Sequence, residues 1–203
     1  MLKAQEIVNG LQTIVNEYSM FSTLWHVAFY ILIIALLAKW KPSNELFTIL
    51  LCLPLLSVAV FAWTAGNPFN GILFSIATIL IFIFGFKAPG QPVDFSQGVF
   101  WSAGIFMIAF GLVYPHFLET NSVFKYLYAS PVGLIPCPTL SILIGFALLF
   151  NGFGSNAITL TLIVFGLFYG IFGALKLAVH LDFFLVLGTV TLLVKYIFSL
   201  RAV

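Results

Sequence analysis

The sequence predicts an all-α membrane protein: a bundle of seven transmembrane helices preceded by an amphipathic surface helix. Three observations carry this. The 203 residues are 62% hydrophobic and only 7% charged, with a mean hydropathy of +1.16, too little charge to cover the surface of a water-soluble domain. The eight basic and six acidic residues fall almost entirely between apolar runs, as they must when each run crosses about 30 Å of hydrocarbon. The polar connections are too short to hide a soluble domain, so residues 1–203 read as a single transmembrane domain whose main partner is the lipid bilayer. No basic tract suggests nucleic acid.

Within residues 1–20, Ile7, Val8, Leu11, Ile14, Val15 and Tyr18 recur at helical spacing and form one apolar stripe. That stripe predicts an interfacial helix, lying in the membrane surface or packed on the rest of the chain. The N-terminus lacks the order of a signal peptide, so the first long apolar run is expected to remain as a span. Seven runs follow, at 21–38, 45–63, 71–86, 98–114, 134–150, 157–175 and 182–199. The third is short and the last two are separated only by residues 176–181, so six spans is the alternative. Turns rich in Gly, Pro and Asn mark 63–69, 87–92 and 151–156. Trp40, Trp63 and Trp101 sit near run ends, where amphipathic rings favour the interface.

Seven spans place Lys39, Lys41, Lys87, Lys195 and Arg201 on one side and Lys3, Lys125 and Lys176 on the other. The richer side is expected to be cytoplasmic, giving an outside N-terminus and a cytoplasmic C-terminus. The outer loop 115–130 reads as an amphipathic helix with Phe117, Phe124, Leu127 and Tyr128 on one side, a cover over the bundle. Cys52 and Cys137 fall at different depths, so no disulfide is expected between them.

The most constrained stretch is Ser130-Pro-Val-Gly-Leu-Ile-Pro-Cys-Pro-Thr139. Pro131, Pro136 and Pro138 each fix φ near −65° and remove a donor, so Cys137, between Pro136 and Pro138 and four residues after Gly133, is expected in a stiff, non-helical backbone. Carbonyls freed in this way are tolerated at membrane depth only inside protein or along a wet cavity. Thr139 and Ser141 are placed to return hydrogen bonds to them.

On the predicted topology His26, His116 and His180 share the outer level with Cys137, Glu119 and Asp182. Thiolate, imidazole and carboxylate together suit a zinc or copper ion, and imidazole equally suits proton transfer. The spacing contains no CxxC, HExxH or HxxxH motif. Each residue also has a structural reading: His26 bonded to a neighbouring span, His116 at a helix end, His180 and Asp182 in a turn, and Cys137 as a small filler. Lys176 and Lys195 lie within apolar runs, near enough to an end to snorkel.

The leading expectation is a small transporter or binding protein handling a metal ion or small solute at an outer-face pocket. The alternatives are a structural or assembly subunit of a larger membrane complex, or a homo-oligomer of this kind, and a membrane enzyme with Cys137 as nucleophile. The enzyme reading is the weakest, because spacing supplies no base or oxyanion donor.

At Tyr114-Pro115-His116, then Gly133-Leu-Ile-Pro136-Cys137-Pro138-Thr139, Gly145 and Leu148-Leu149-Phe150, the chain resembles a family of bacterial integral-membrane proteins of unknown function. The resemblance is strongest over 114–150 and implies location in the bacterial inner membrane. It implies no activity.

Overall fold

The computed structural model describes residues 4–86, 94–151 and 155–201. Lys3, Lys87, the turn at 87–92 and the centre of the turn at 151–156 lie outside the described residues. Among the described residues the regular elements are helices: α1 (Ala4–Glu17), α2 (Ser19–Leu37), α3 (Asn44–Thr64), α4 (Pro68–Gly85), α5 (Val99–Val113), α6 (Tyr126–Ala129), α7 (Pro136–Leu149), α8 (Asn156–Ile171) and α9 (Asp182–Arg201). One π-helical turn, Phe172–Lys176, extends α8. Each of the seven apolar runs is a helix, with ends within about three residues of expectation. Five are long and apolar enough to cross a membrane alone: α2, α3, α4, α8 with its π turn, and α9. The other two, α5 and α7, have 15 and 14 residues, about 21–23 Å at 1.5 Å per residue.

Local chemistry sets the helix ends. Ser43 accepts the Leu46 N–H and starts α3, while Asn67 accepts the Asn70 N–H and, with Pro68 at the first turn, starts α4. Both use the side-chain oxygens that satisfy orphan N-terminal donors. Pro136 opens α7 where its missing N–H costs nothing.

The bundle is organised around α7, which is buried along its length except for a partly exposed Cys137. It packs against α3, α5, α8 and α9, while α3–α4 and α8–α9 form antiparallel pairs joined through α4 and α8. A helix apolar on all sides has no face for water, and α7 occupies the position that suits it. Its closest neighbour is α5. A Cβ on Gly104 would lie 2.7 Å from the Leu149 nitrogen, and one on Gly145 would lie 2.8 Å from the Ile108 nitrogen, so only glycine lets these backbones touch. The surrounding helices turn large apolar side chains outward, among them Ile31, Ile34, Leu37, Ile79, Val164 and Leu187, as lipid-facing surfaces do.

Two features differ from the sequence expectation. Segment 115–130 is helical only over a 3-10 turn, Val123–Lys125, and α6. Phe117 adopts a left-handed φ of 69° and turns inward, whereas Phe124 is 76% exposed. Its aromatics therefore point to opposite sides. The cover is α1 instead: its stripe is packed down, with Leu11, Ile14 and Val15 buried against Phe61, Tyr114, Phe117 and Leu134. The side chains of Gln12 and Asn16 staple it to Glu119 and to the Phe117 carbonyl.

The two ends of α7 are held by one partner helix. At its start, Cys137 meets Asp182, the first residue of α9. At its finish, the Lys195 ammonium, thirteen residues further along α9, shares its three N–H donors among the carbonyls of Ala147, Leu148 and Phe150 and Ser96 Oγ. α7 and α9 therefore run parallel, with a carboxylate at the positive end of the α7 dipole and an ammonium at the negative end, each the favourable sign. Beside Lys195, segment 94–96 pairs with 149–151 through the Ser96 N–H to the Leu149 carbonyl and the Asn151 N–H to the Asp94 carbonyl, both 2.8 Å. An exposed ion pair of 3.0 Å, Lys41 to Asp94, lies at the same end.

Candidate functional site

The stretch Ser130 to Thr139 is buried loop followed by helix, and Cys137 lies in the first turn of α7 rather than in non-helical backbone, because Pro136 and Pro138 fall where a helix start needs no N–H. Ser130, Val132, Leu134 and Ile135 are all out of contact with solvent. Gly133 sits at φ +73° with the Trp25 ring against it, where a Cβ would come within 2.1 Å of that ring. Trp25 is fixed in turn by a 2.9 Å bond to Ser57 Oγ. The freed backbone groups find partners in the chain: Thr139 Oγ1 accepts the Gly133 N–H at 2.9 Å and donates to the Ile135 carbonyl at 2.8 Å, and Ser141 Oγ donates to the Cys137 carbonyl at 2.9 Å. The result is a rigid platform that presents Cys137.

Opposite Cys137 stands Asp182, only 2% exposed although it carries a carboxylate. Its Oδ1 accepts the Tyr114 hydroxyl at 2.7 Å and its Oδ2 accepts the Cys137 thiol at 3.2 Å. Two helix N-termini, those of α7 and α9, converge on it, and their orphan N–H groups favour a negative charge. The π turn makes the space. A Cβ on Gly173 would fall 1.8 Å from Asp182 Oδ2, and the Val179 N–H closes the following turn onto the Gly173 carbonyl at 3.0 Å. A π turn of this kind commonly marks a functional position in a helix.

Cys137, Asp182 and Gly173 of this cluster form the floor of a cavity of about 500 Å³. Its roof is the apolar stripe of α1 at Ile7 and Leu11, and its walls come from the start of α4, Phe117, the start of α7, and the end of α8 with its π turn. Polar groups are few and convergent. Tyr169 donates to Asn70 Oδ1 at 3.0 Å, Asn67 and Asn70 line the α4 side, and Lys176 stands at the rim. A mostly apolar cavity of this size with a few placed polar groups is the usual form of a small-molecule site.

The six residues singled out from sequence do not form one group. Cys137 and Asp182 touch and line the cavity. His26, wholly buried, places Nδ1 2.7 Å from the Ser22 carbonyl and Nε2 2.8 Å from the Leu112 carbonyl. Both ring nitrogens thus face oxygen acceptors, and with Ser130 Oγ on the Gly111 carbonyl at 3.2 Å they close the C-terminal end of α5. His116 packs edge-on against Phe117, and burial lowers its imidazole below the ordinary histidine pKa. Glu119 bonds α1, and the left-handed turn at Phe117 keeps it off any helical face shared with His116. His180 is exposed in the turn before α9. Among the described residues no three His, Cys, Asp or Glu side chains come together to hold a metal ion, so a zinc or copper site at this cluster has no donor set. Cys52 lies elsewhere, its thiol toward the Thr78 carbonyl at 3.7 Å, and both cysteines are free.

Sequence reasoning missed Tyr114, Tyr169, Asn70 and Gly173. The available signal was an amide at the edge of one apolar run and two phenols within others, which must find partners inside the protein. Comparison with known proteins finds no family model that matches the chain, no similar curated protein and no similar solved structure.

Proposed function

We propose that the chain is a seven-span membrane protein, placed in a bacterial inner membrane with its N-terminus outside, that binds or transports a small organic solute in the cavity beneath α1. The observation that carries this reading is the cavity itself, about 500 Å³, with an apolar roof and walls and a polar floor of Cys137, Asp182, Tyr169 and Asn70. Seven spans are supported by how the two short helices are completed. The buried loop ahead of α7 and the Lys195 contacts behind it extend its polar-satisfied path, and His26 and Ser130 do the same for α5. Orientation is supported by Lys39, Lys41, Lys195 and Arg201 at one end against Lys125 and Lys176 at the other. An organic solute is favoured over a metal ion by the scattered imidazoles described above. A nucleophilic Cys137 is disfavoured, because its thiol donates to a carboxylate and no histidine stands beside it.

The reading predicts saturable stabilisation. At a free concentration of one hundred times Kd, a bound solute raises stability by about 2.7 kcal/mol, so a panel of small amphiphiles screened by thermal unfolding in nanodiscs should contain members that raise Tm. The variant Ile7→Trp, which fills the roof of the cavity, should fold and show no such rise. A panel with no active member, or an equal rise in Ile7→Trp, would overturn the assignment.

A further inference from the structure

The class of solute follows from the charges around the cavity and rests on the solute-binding reading above. We propose that the cavity takes a single-chain amphiphile with a monoanionic head, a long-chain carboxylate, with the head between Lys176 and Asn70 and the chain under α1. Lys176 lines the rim, and among the described residues no ion pair engages it; the exposed Lys41–Asp94 contact is the one found there. Asp182 lines the same cavity and keeps its charge, but it is 2% exposed, its oxygens accept from Tyr114 and Cys137, and it forms no ion pair with Lys176.

Asn70 supplies an independent pointer. It is only 7% exposed and lines the cavity, and its Oδ1 accepts the Tyr169 hydroxyl. Its Nδ2 amino group has no hydrogen-bond partner among the described residues and remains a donor on a residue that lines the cavity, the complement of a carboxylate oxygen. One ammonium and one amide, with no arginine in the lining, suit a single negative charge better than a dianionic phosphate, which is matched by forked or clustered donors. The rest of the lining, Ile7, Leu11, Phe69, Phe117 and Leu177, is apolar and suits an alkyl chain.

The test uses the full chain in phosphatidylcholine nanodiscs with three nitroxide-labelled probes of equal chain length: dodecanoate, dodecyltrimethylammonium and dodecanol. Electron paramagnetic resonance reads the immobilised fraction of each. One lysine near the membrane surface contributes about 1 kcal/mol toward an anionic head, which predicts roughly a fivefold preference for dodecanoate over neutral dodecanol and weaker binding of the cation. Lys176→Gln should remove that preference, Lys176→Glu should reverse it, and Ile7→Trp should release all three probes. Equal immobilisation of the three probes in the unmodified chain overturns the anionic class while leaving the cavity a solute site. Immobilisation of none removes both readings. Displacement of dodecanoate by phosphatidylglycerol added to the nanodisc would assign the site to a bilayer lipid and overturn the free carboxylate.

Discussion

Lys195→Met is expected to lower the stability of the folded chain by about 3 kcal/mol, the scale of several polar groups left without donors. Methionine keeps the length and apolar contacts of the lysine stem but supplies no hydrogen. The carbonyls of Ala147, Leu148 and Phe150, and Ser96 Oγ, would lose their shared ammonium together. At a helix end exposed to water these carbonyls would turn to solvent. Here they lie beside the buried residues Leu148, Leu149 and Phe150, where water is not at hand. Thermal unfolding in nanodiscs should show a fall on the order of 10 °C for a chain of this length. Because Lys195 sits at the far end of α7 from the cavity, dodecanoate binding measured well below that temperature should persist.

Gly173→Ala should have the opposite pattern, a local fault at the site. The added methyl would stand 1.8 Å from Asp182 Oδ2, so the carboxylate must leave its place. It would then lose the Tyr114 hydroxyl and the Cys137 thiol, its two donors. Overpacking and a displaced buried charge together predict a loss of about 2–3 kcal/mol and abolished amphiphile binding. Gly10→Ala is the matched control: a Cβ there meets nothing within 4 Å, and its midhelical position in α1 favours alanine. Equal loss of binding in both variants would remove the special role of the π turn.

The fold was legible in the sequence because hydropathy and helix periodicity report on one chain segment at a time. All seven apolar runs and the α1 stripe became helices. The proline-bounded stretch at 130–139 was legible for the same reason, since Pro136 and Pro138 restrict their own backbone and Thr139 and Ser141 repair it from within four residues. The site depends on contacts between residues far apart in the chain. Tyr114 and Asp182 are 68 residues apart, and Tyr169 and Asn70 are 99 apart; membrane level alone does not say which helices are neighbours. That is why His26, correctly placed in a span, was grouped with Cys137, although it closes α5 through the Leu112 carbonyl. It is also why α1 was not recognised as the roof. Its stripe was visible, but whether lipid or protein would cover it depended on Phe61, Tyr114 and Leu134.

Alkylation of Cys137 tests most directly whether a carboxylate-anchored thiol faces a solute cavity. In a Cys52→Ala chain it is the only thiol, and its reaction with N-ethylmaleimide can be followed by mass. The Asp182 carboxylate accepts the Cys137 thiol at 3.2 Å. Asp182→Asn should therefore speed the reaction, because a neutral amide replaces the negative charge beside the sulfur, and saturating dodecanoate should slow it in both chains. A rate unmoved by either change would contradict the account.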